Sequence, residues 1–213
     1  MGTKRVGLAR IEALMEALDR DLELSTTTLT NVGASTFAST VAVTGVTKLT
    51  GNTGLSAGTG FGDAALYKSW AENVGGITKT TLLIDLTGIR STAANDIIGD
   101  DGEANATIGQ YTTAVMGTLF AVHWECLETP AGGDPDINLA FADEATLAED
   151  SALSAGTSSG TVLNNGDSGA GDHFWAVTGF PAANQYMYLV SGAATDADYT
   201  TGVLKIEFYG TTA

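Results

Sequence analysis

The chain has 213 residues, of which 44% are hydrophobic and only 16% are charged, with 27 glycines and three prolines. This composition excludes a disordered chain and favours a folded, glycine-punctuated β protein. A net charge of −16 excludes a function that depends on binding the phosphates of nucleic acid. The single Cys126 excludes an intrachain disulfide framework, and we expect it to pack within a strand.

The amino terminus lacks the apolar core of a signal peptide. No stretch of the sequence approaches the ~18 apolar residues that a membrane span needs. We therefore expect no membrane partner and a product that stays in the compartment where it is made.

Residues 7–24 carry the only strong helical period of the chain. Apolar residues recur there at spacings of three and four, which is a heptad seam. The seam consists of Leu8, Ile11, Met15, Leu18 and Leu22. It spans about two heptads, which is too short for an isolated helix in water. We therefore predict an amphipathic helix within residues 1–24 that packs against copies of itself, against another protein or against its own β-domain.

The first ten residues are purely basic, whereas the rest of the chain is strongly acidic. Their three charged side chains are Lys4, Arg5 and Arg10. A basic tip on an acidic body is suited to docking on an acidic partner surface. The alternative is a solvated terminus.

Residues 25–62 contain eleven threonines, and Lys48 is their only charged residue. Threonine is β-branched and favours extended structure. A weak repeat relates residues 33–37 to residues 45–49 at a spacing of twelve. We predict a short β-repeat shaft that intertwines with identical neighbours, because such strands bury little apolar area alone. The alternative is a flexible linker, which fits residues 54–62 best.

Residues 63–213 are predicted to form one β-sandwich or jelly roll, preceded by a short helix at residues 63–72. Runs with strand character are separated by turns rich in glycine, aspartate and asparagine. They cover residues 80–87, 114–127, 137–142, 161–164, 173–178, 185–190 and 202–209. In the last run, Leu204, Ile206 and Phe208 alternate with polar residues, as in a strand with one buried face.

The sequence Gly-Asp-Ser-Gly around Ser168 is similar to the nucleophile loop of chymotrypsin-like proteases. That chemistry needs a histidine base held by a buried aspartate. His123 lacks the flanking pattern of such a base, and His173 follows the serine in the wrong chain order. We therefore interpret residues 165–171 as a turn and expect no enzyme activity.

Other candidate sites are weaker. Residues 58–62 are glycine-rich, but no phosphate-binding lysine follows them. The acidic clusters at residues 100–103 and 134–136 could hold calcium, yet they lack the EF-hand spacing, so we expect solvated loops, no metal and no cofactor. A carbohydrate platform could use exposed aromatic residues, although strand periodicity places most of them in the core. Its candidates are Trp124, Trp175, Tyr186, Tyr188 and Tyr209.

Several stretches resemble virion structural proteins of marine tailed phages, including those that infect cyanobacteria, and the middle of the chain is similar to the β-repeats of phage fibres. They are TLLIDLTG at residues 81–88, DIIGD at 96–100, ETPAGGDPDI at 128–137 and TDADYT at 195–200. Residues 2–10 are similar too, and the likeness covers most of residues 75–213. The resemblance implies a particle component, commonly oligomeric, whose β-domain faces solvent.

We therefore expect a virion-located homo-oligomer, a trimer, whose partners are identical subunits and the major capsid protein or another virion protein. Because the shaft has only about two repeats and a long fibre would need many, capsid decoration is favoured over a role as a fibre. The alternative is a tail or head fibre module that binds a host receptor or glycan.

Overall fold

The computed structural model describes residues 54–62, 64 and 66–211. The predicted helix within residues 1–24 and the Thr-rich segment up to residue 53 lie outside them. Eleven strands, one four-residue α-helix and two short 3-10 helices, at Thr59–Phe61 and Leu153–Ala155, occur in the described part. The strands and the α-helix are β1 (Leu66–Val74), β2 (Ile77–Asp85), β3 (Arg90–Ser91), β4 (Gly109–Gln110), α1 (Thr113–Met116), β5 (Thr118–Ala131), β6 (Ile137–Ala142), β7 (Gly160–Leu163), β8 (His173–Ala176), β9 (Tyr186–Ser191), β10 (Ala197–Asp198) and β11 (Thr201–Thr211).

The strands form two larger antiparallel sheets and one small ribbon. The larger sheet has five strands in the order β1-β2-β11-β5-β8, so the last strand of the chain lies at its centre. The second has four strands in the order β4-β9-β6-β7, and β3 pairs with β10. The predicted mainly β fold is confirmed, while the finer jelly-roll assignment stays a prediction.

One hydrophobic cluster contains residues from both larger sheets. The five-stranded sheet contributes Leu82, Ile84, Val122, Trp124, Leu204, Ile206 and Phe208. The four-stranded sheet contributes Ile137, Leu139, Leu163, Met187 and Leu189. Because the side chains of a strand alternate between its two faces, β11 buries every second residue. The alternation predicted for the end of the chain is therefore confirmed.

The helix predicted at residues 63–72 is wrong, because β1 occupies residues 66–74. β1 pairs with β2 in a hairpin closed by Gly75 and Gly76, both of which have positive φ angles. Glycine adopts this left-handed conformation without a steric penalty, so the two residues turn the chain back directly. Residues 66–74 thus become a strand by pairing with β2 across this turn.

The strand predicted at residues 114–127 begins too early. Residues 113–116 form α1, and β5 starts only at Thr118. Gly117 lies between them with a φ of 68° and packs closely against the backbone of Thr211. A side chain at this position would meet that backbone, which explains why the helix ends here.

The interpretation of residues 54–62 as a linker is wrong for the described structure. Phe61 is fully buried and Leu55 nearly so, and both belong to the main hydrophobic cluster. The Gly58 amide donates a hydrogen bond of 2.8 Å to the carbonyl of Thr107. The packed β-domain therefore begins before residue 63.

Candidate functional site

The face of the five-stranded sheet that points away from the hydrophobic cluster carries the most unusual set of side chains. Strand register aligns them in three rows that run across the sheet. From β1 towards β8 the rows are Lys68, Leu83, Lys205, Glu125 and His173; Trp70, Thr81, Glu207, His123 and Trp175; and Glu72, Lys79, Tyr209 and Ala121. We call these three rows, with Phe120 beside Tyr209, the outer face.

A hydrogen-bonded pair, His123 and Glu207, lies near the middle of the outer face. The Nδ1 atom of His123 is 3.0 Å from Oε2 of Glu207, and its Nε2 atom is 3.2 Å from Nδ1 of His173. Because a carboxylate only accepts hydrogen bonds, Nδ1 of His123 donates to Glu207. Nε2 of a neutral His123 then accepts a hydrogen bond from His173. The carboxylate of Glu207 and the rings of His123 and His173 therefore form one hydrogen-bonded chain.

Aromatic rings cover this pair. The ring of Trp175 stacks on His123 with centroids 4.3 Å apart, and it also stacks on Tyr209 at 5.9 Å. Phe120 lies 6.4 Å from Tyr209 on the other side. The side chains of His123 and Glu207 are only 11% and 12% exposed, whereas Trp175 is 57% exposed. The polar pair is thus shielded while the ring above it faces solvent.

Lysines and glutamates on the outer face form one connected set of ion pairs. Lys79 lies 3.1 Å from Glu72 and 3.6 Å from Glu207. Lys205 contacts Glu125 and lies 3.9 Å from Glu207. Glu207 therefore joins two lysines, and the charges of the face are balanced within it.

The pKa values follow from this geometry. Burial disfavours the charged form of Glu207, but the hydrogen bond from His123 and the charge of Lys205 outweigh it and lower the pKa of the carboxyl. The hydrogen bond from Lys205 lowers the pKa of Glu125, and that to Glu72 raises the pKa of Lys79. Burial and the neighbouring Glu207 raise the pKa of Tyr209.

The charge of the described residues is divided between two surfaces. These residues include nineteen acidic side chains, three lysines, one arginine and two histidines. All three lysines and both histidines lie on the outer face, together with only three of the acids. Sixteen carboxylates and Arg90 belong to the rest of the described structure. The outer face is therefore close to neutral, and the remaining surface is strongly negative.

Exposed apolar area is concentrated on the same sheet. Every large hydrophobic residue that is exposed in the described structure lies in β1, β2, β5 or β8, or directly after β8. They are Trp70, Val74, Ile77, Phe120, Leu127, Trp175 and Val177. Exposed hydrophobic residues gathered on one sheet indicate a binding surface more often than scattered ones do.

Known proteins provide no relative for this arrangement. No protein-family model, no curated protein and no solved structure matches the chain. The assignment of a function therefore rests on the geometry of the described residues.

The predicted docking residues lie outside the part of the chain that the structure describes. They are the seam residues Leu8, Ile11, Met15, Leu18 and Leu22 and the basic residues Lys4, Arg5 and Arg10. In the described ranges no helix is both long and apolar enough to cross a bilayer. The docking role of the first 24 residues stays a prediction.

The serine that is similar to a protease nucleophile has no base beside it. Ser168 is only 3% exposed, and its hydroxyl has no hydrogen-bond partner. The nitrogens of His123 are engaged by Glu207 and His173 instead. The histidines are thus brought to each other and to a glutamate rather than to the serine.

The acidic loops differ from the expectation of solvated carboxylates, because Asp134 is 1% exposed. Its carboxylate accepts hydrogen bonds from the backbone amides of Asp136 at 3.1 Å and Ala193 at 2.7 Å. Asp134 therefore ties two loops together. Among residues 54–62, 64 and 66–211, no group of three His, Cys, Asp or Glu side chains could hold a metal ion.

A cavity of about 360 Å³ lies beside Arg90, the one arginine of the described residues. Its guanidinium lies 2.6 Å from Asp196 and 3.3 Å from Asp198. Asp198 lies in β10, which pairs with β3, and Asp196 directly precedes β10. Arg90 therefore stabilises the pairing of β10 with β3, and its charge is compensated by the two aspartates. The outer face is the stronger candidate for a functional site.

Strand periodicity predicted that most candidates for an aromatic platform lie in the core, and this is confirmed for two of them. Trp124 and Tyr188 are fully buried, so they belong to the core. Trp175 and Tyr209 do lie together on the outer face. Phe120 and the lysine–glutamate pairs were missed, because their proximity depends on the pairing of β11 with β2 and β5, which are distant in sequence. Alternation within β11 was the available signal, since it placed Lys205, Glu207 and Tyr209 on one side.

Proposed function

We propose that the chain is a structural protein of a bacteriophage virion, an oligomeric capsid-decoration protein without a catalytic role. The observation that carries this proposal is the division of the described surface. One sheet face is aromatic, apolar and charge-balanced, while the remainder is acidic. A particle protein whose neutral face is covered by a neighbouring protein subunit, while its acidic side stands in solvent, fits this distribution.

The composition of the outer face is that of a protein-binding surface. Interface centres are enriched in tryptophan, tyrosine and phenylalanine and depleted in uncompensated charge. Trp175, Tyr209 and Phe120 supply such anchors, and Lys79 and Lys205 are paired with glutamates. The acidic remainder would keep coated particles dispersed by like-charge repulsion over about 10 Å at moderate ionic strength.

In this proposal residues 1–24 anchor the protein to the shell or join three subunits. The seam of Leu8, Ile11, Met15, Leu18 and Leu22 supplies apolar contact, and the basic tip meets an acidic partner. The resemblance of residues 81–88 and 128–137 to marine-phage virion proteins supports the same role. The protein would stabilise the shell mechanically, through many weak contacts with neighbouring capsomers.

Immunogold labelling of purified particles of the virus that encodes the chain tests this proposal. With antibody raised against the purified protein, we expect label over the head surface. Intact particles that lack the chain would contradict a virion role, and label confined to the tail would contradict decoration. Deletion of residues 1–24 is expected to abolish binding to particles while the thermal unfolding midpoint of the β-domain stays unchanged.

A second candidate function, glycan or receptor binding by a fibre module, is favoured by one observation. Trp175 and Tyr209 form a nearly parallel pair with an interplanar angle of 26°, next to polar groups of Lys79 and His173. Flat aromatic surface bordered by hydrogen-bonding groups suits a sugar ring. Titration with a panel of bacterial surface oligosaccharides, followed by tryptophan fluorescence, tests it. Saturable binding that is lost in Trp175→Ala would support this candidate, and no response to the panel would remove it.

A further inference from the structure

We propose that the outer face is a self-association surface, whose occupant is the outer face of a second copy of this chain. This inference is independent of the virion role. It also differs from association through the first 24 residues, because it assigns an interface to the β-domain itself.

Charge decides which surfaces of two copies can approach each other. Outside the outer face, sixteen carboxylates stand against Arg90, so any contact between two such surfaces places like charges together. Like charges placed opposite each other across an interface oppose association. On the outer face, three lysines balance three glutamates. Among the surfaces of the described residues, the outer face is therefore the one through which two copies meet with the least repulsion.

The same balance makes the face complementary to itself. A surface that carries both signs can place each lysine of one copy near a glutamate of the other, whereas a purely basic surface could not. Glu207 keeps its lowered pKa and thus its charge near neutral pH, so the set of pairs persists. Arrangement about a two-fold axis is the commonest form of such a contact.

The whole sheet face approaches a standard interface in size. Five strands about 4.8 Å apart, with ~3.3 Å per residue over the nine residues of β1 and β2, give a plane of at most roughly 20 by 30 Å, which the four-residue β8 narrows. Each partner in a standard interface buries ~800 Å² of accessible surface. The three rows of the outer face form the centre of this plane, and the next row, which carries Asp85 and Glu128, borders them.

Exposed aromatic residues supply the apolar area that two copies would bury on association. Trp175 is 57% exposed, Phe120 44% and Trp70 39%. Trp70 and Trp175 lie at opposite ends of the central row, with the shielded Glu207 and His123 between them. Anchors at both ends of a row allow two copies to bury tryptophan across the full width of the sheet.

Light scattering of the full-length chain and of two matched variants tests the proposal. Trp175→Glu adds a charge at the most exposed aromatic residue of the outer face. Thr161→Glu adds the same charge at an exposed position of β7, on the other sheet. We expect the molar mass of Trp175→Glu to fall to about half that of the wild type, with Thr161→Glu unchanged. If the first 24 residues join subunits as well, Trp175→Glu leaves the oligomer that those residues maintain by themselves.

Three outcomes would overturn the proposal. They are a wild-type mass that Trp175→Glu does not change, an equal loss of mass in both glutamate variants, and a wild-type monomer at high concentration. Circular dichroism confirms that each variant is folded. If Trp175→Glu fails to fold, Phe120→Ala replaces it. We expect this variant to have a higher dissociation constant for self-association, so its molar mass falls to half at protein concentrations where the wild type is still associated. Full-length protein bound to particles but unable to self-associate through this face would overturn this inference alone.

Discussion

The two faces of the five-stranded sheet are made from the same strands and do different work. On β11, Leu204, Ile206 and Phe208 are fully buried and pack into the hydrophobic cluster. The residues between them point outward and build the ion pairs and hydrogen bonds of the outer face, among them Lys205 and Glu207. A period of two thus lets one strand hold the fold together with one set of residues and present a binding surface with the other.

The difference teaches that exposure, more than residue type, decides what an aromatic side chain does here. Trp124 and Trp175 both belong to β-strands that pair with each other, and both are large and apolar. Trp124 faces inward and is fully buried, whereas Trp175 faces outward and is mostly exposed. Substitutions at these two positions should therefore separate stability from association.

Trp124→Ala is expected to have the largest effect. Removal of a fully buried tryptophan costs about 3–5 kcal/mol, because both the transfer energy and a cavity are lost. Denaturant unfolding followed by circular dichroism measures this. Trp124→Phe serves as the control and should cost less, since its indole N–H has no hydrogen-bond partner to lose. A loss below about 1 kcal/mol for the alanine variant would contradict the position of Trp124 in the core.

Glu207→Gln is expected to cost about 1–3 kcal/mol, because hydrogen bonds to charged groups that are shielded from water are costly to lose. The substitution keeps the shape of the side chain but removes the charge that Lys79 and Lys205 share. The same unfolding measurement applies. An unchanged free energy of unfolding would show that the ion pairs of the outer face are as weak as ordinary surface pairs.

A smaller change in the free energy of unfolding is expected when the pH is lowered and Glu207 is protonated. The pKa of Glu207 is lowered in the folded state, so the folded protein holds its proton less tightly than the unfolded chain does. The stability that this confers is complete above the unfolded pKa of about 4.3 and is lost as the pH falls through the folded value. Between about pH 5 and pH 3, the free energy of unfolding should therefore decline less steeply in Glu207→Gln than in the wild type. Equal slopes would contradict the lowered pKa.

Trp175→Ala is expected to have the smallest effect on stability, within about 0.5 kcal/mol in the monomeric state, because its ring is mostly exposed. Unfolding at low protein concentration measures this effect free of association. A loss comparable with that of Trp124→Ala would mean that Trp175 acts as a core residue. The comparison between the two faces would then fail.

Local patterns in the sequence allowed the mainly β fold and most strands to be predicted. Alternation identified the buried residues of β11, and turn residues separated β6, β7, β8 and β9 near their observed limits. β1 was missed because its exposed face is mixed in character. It becomes a strand only through pairing with β2 across Gly75 and Gly76.

The candidate site could be predicted only in part, for a physical reason. Lys205, Glu207 and Tyr209 were placed on one face by alternation alone. Their partners His123 and Glu125 come from β5, about eighty residues earlier, and the register between the two strands includes bulges. No short-range pattern encodes such a register, since it depends on which strands the core brings together.

The outer strands of the five-stranded sheet limit how large an assembly can become. β8 has only four residues, and β1 carries Lys68 and Glu72 along its length. Short or charged edge strands discourage another chain from adding to the backbone hydrogen bonds of a sheet. Strand-by-strand growth into fibrils is therefore disfavoured, and association through the outer face stops once that face is covered.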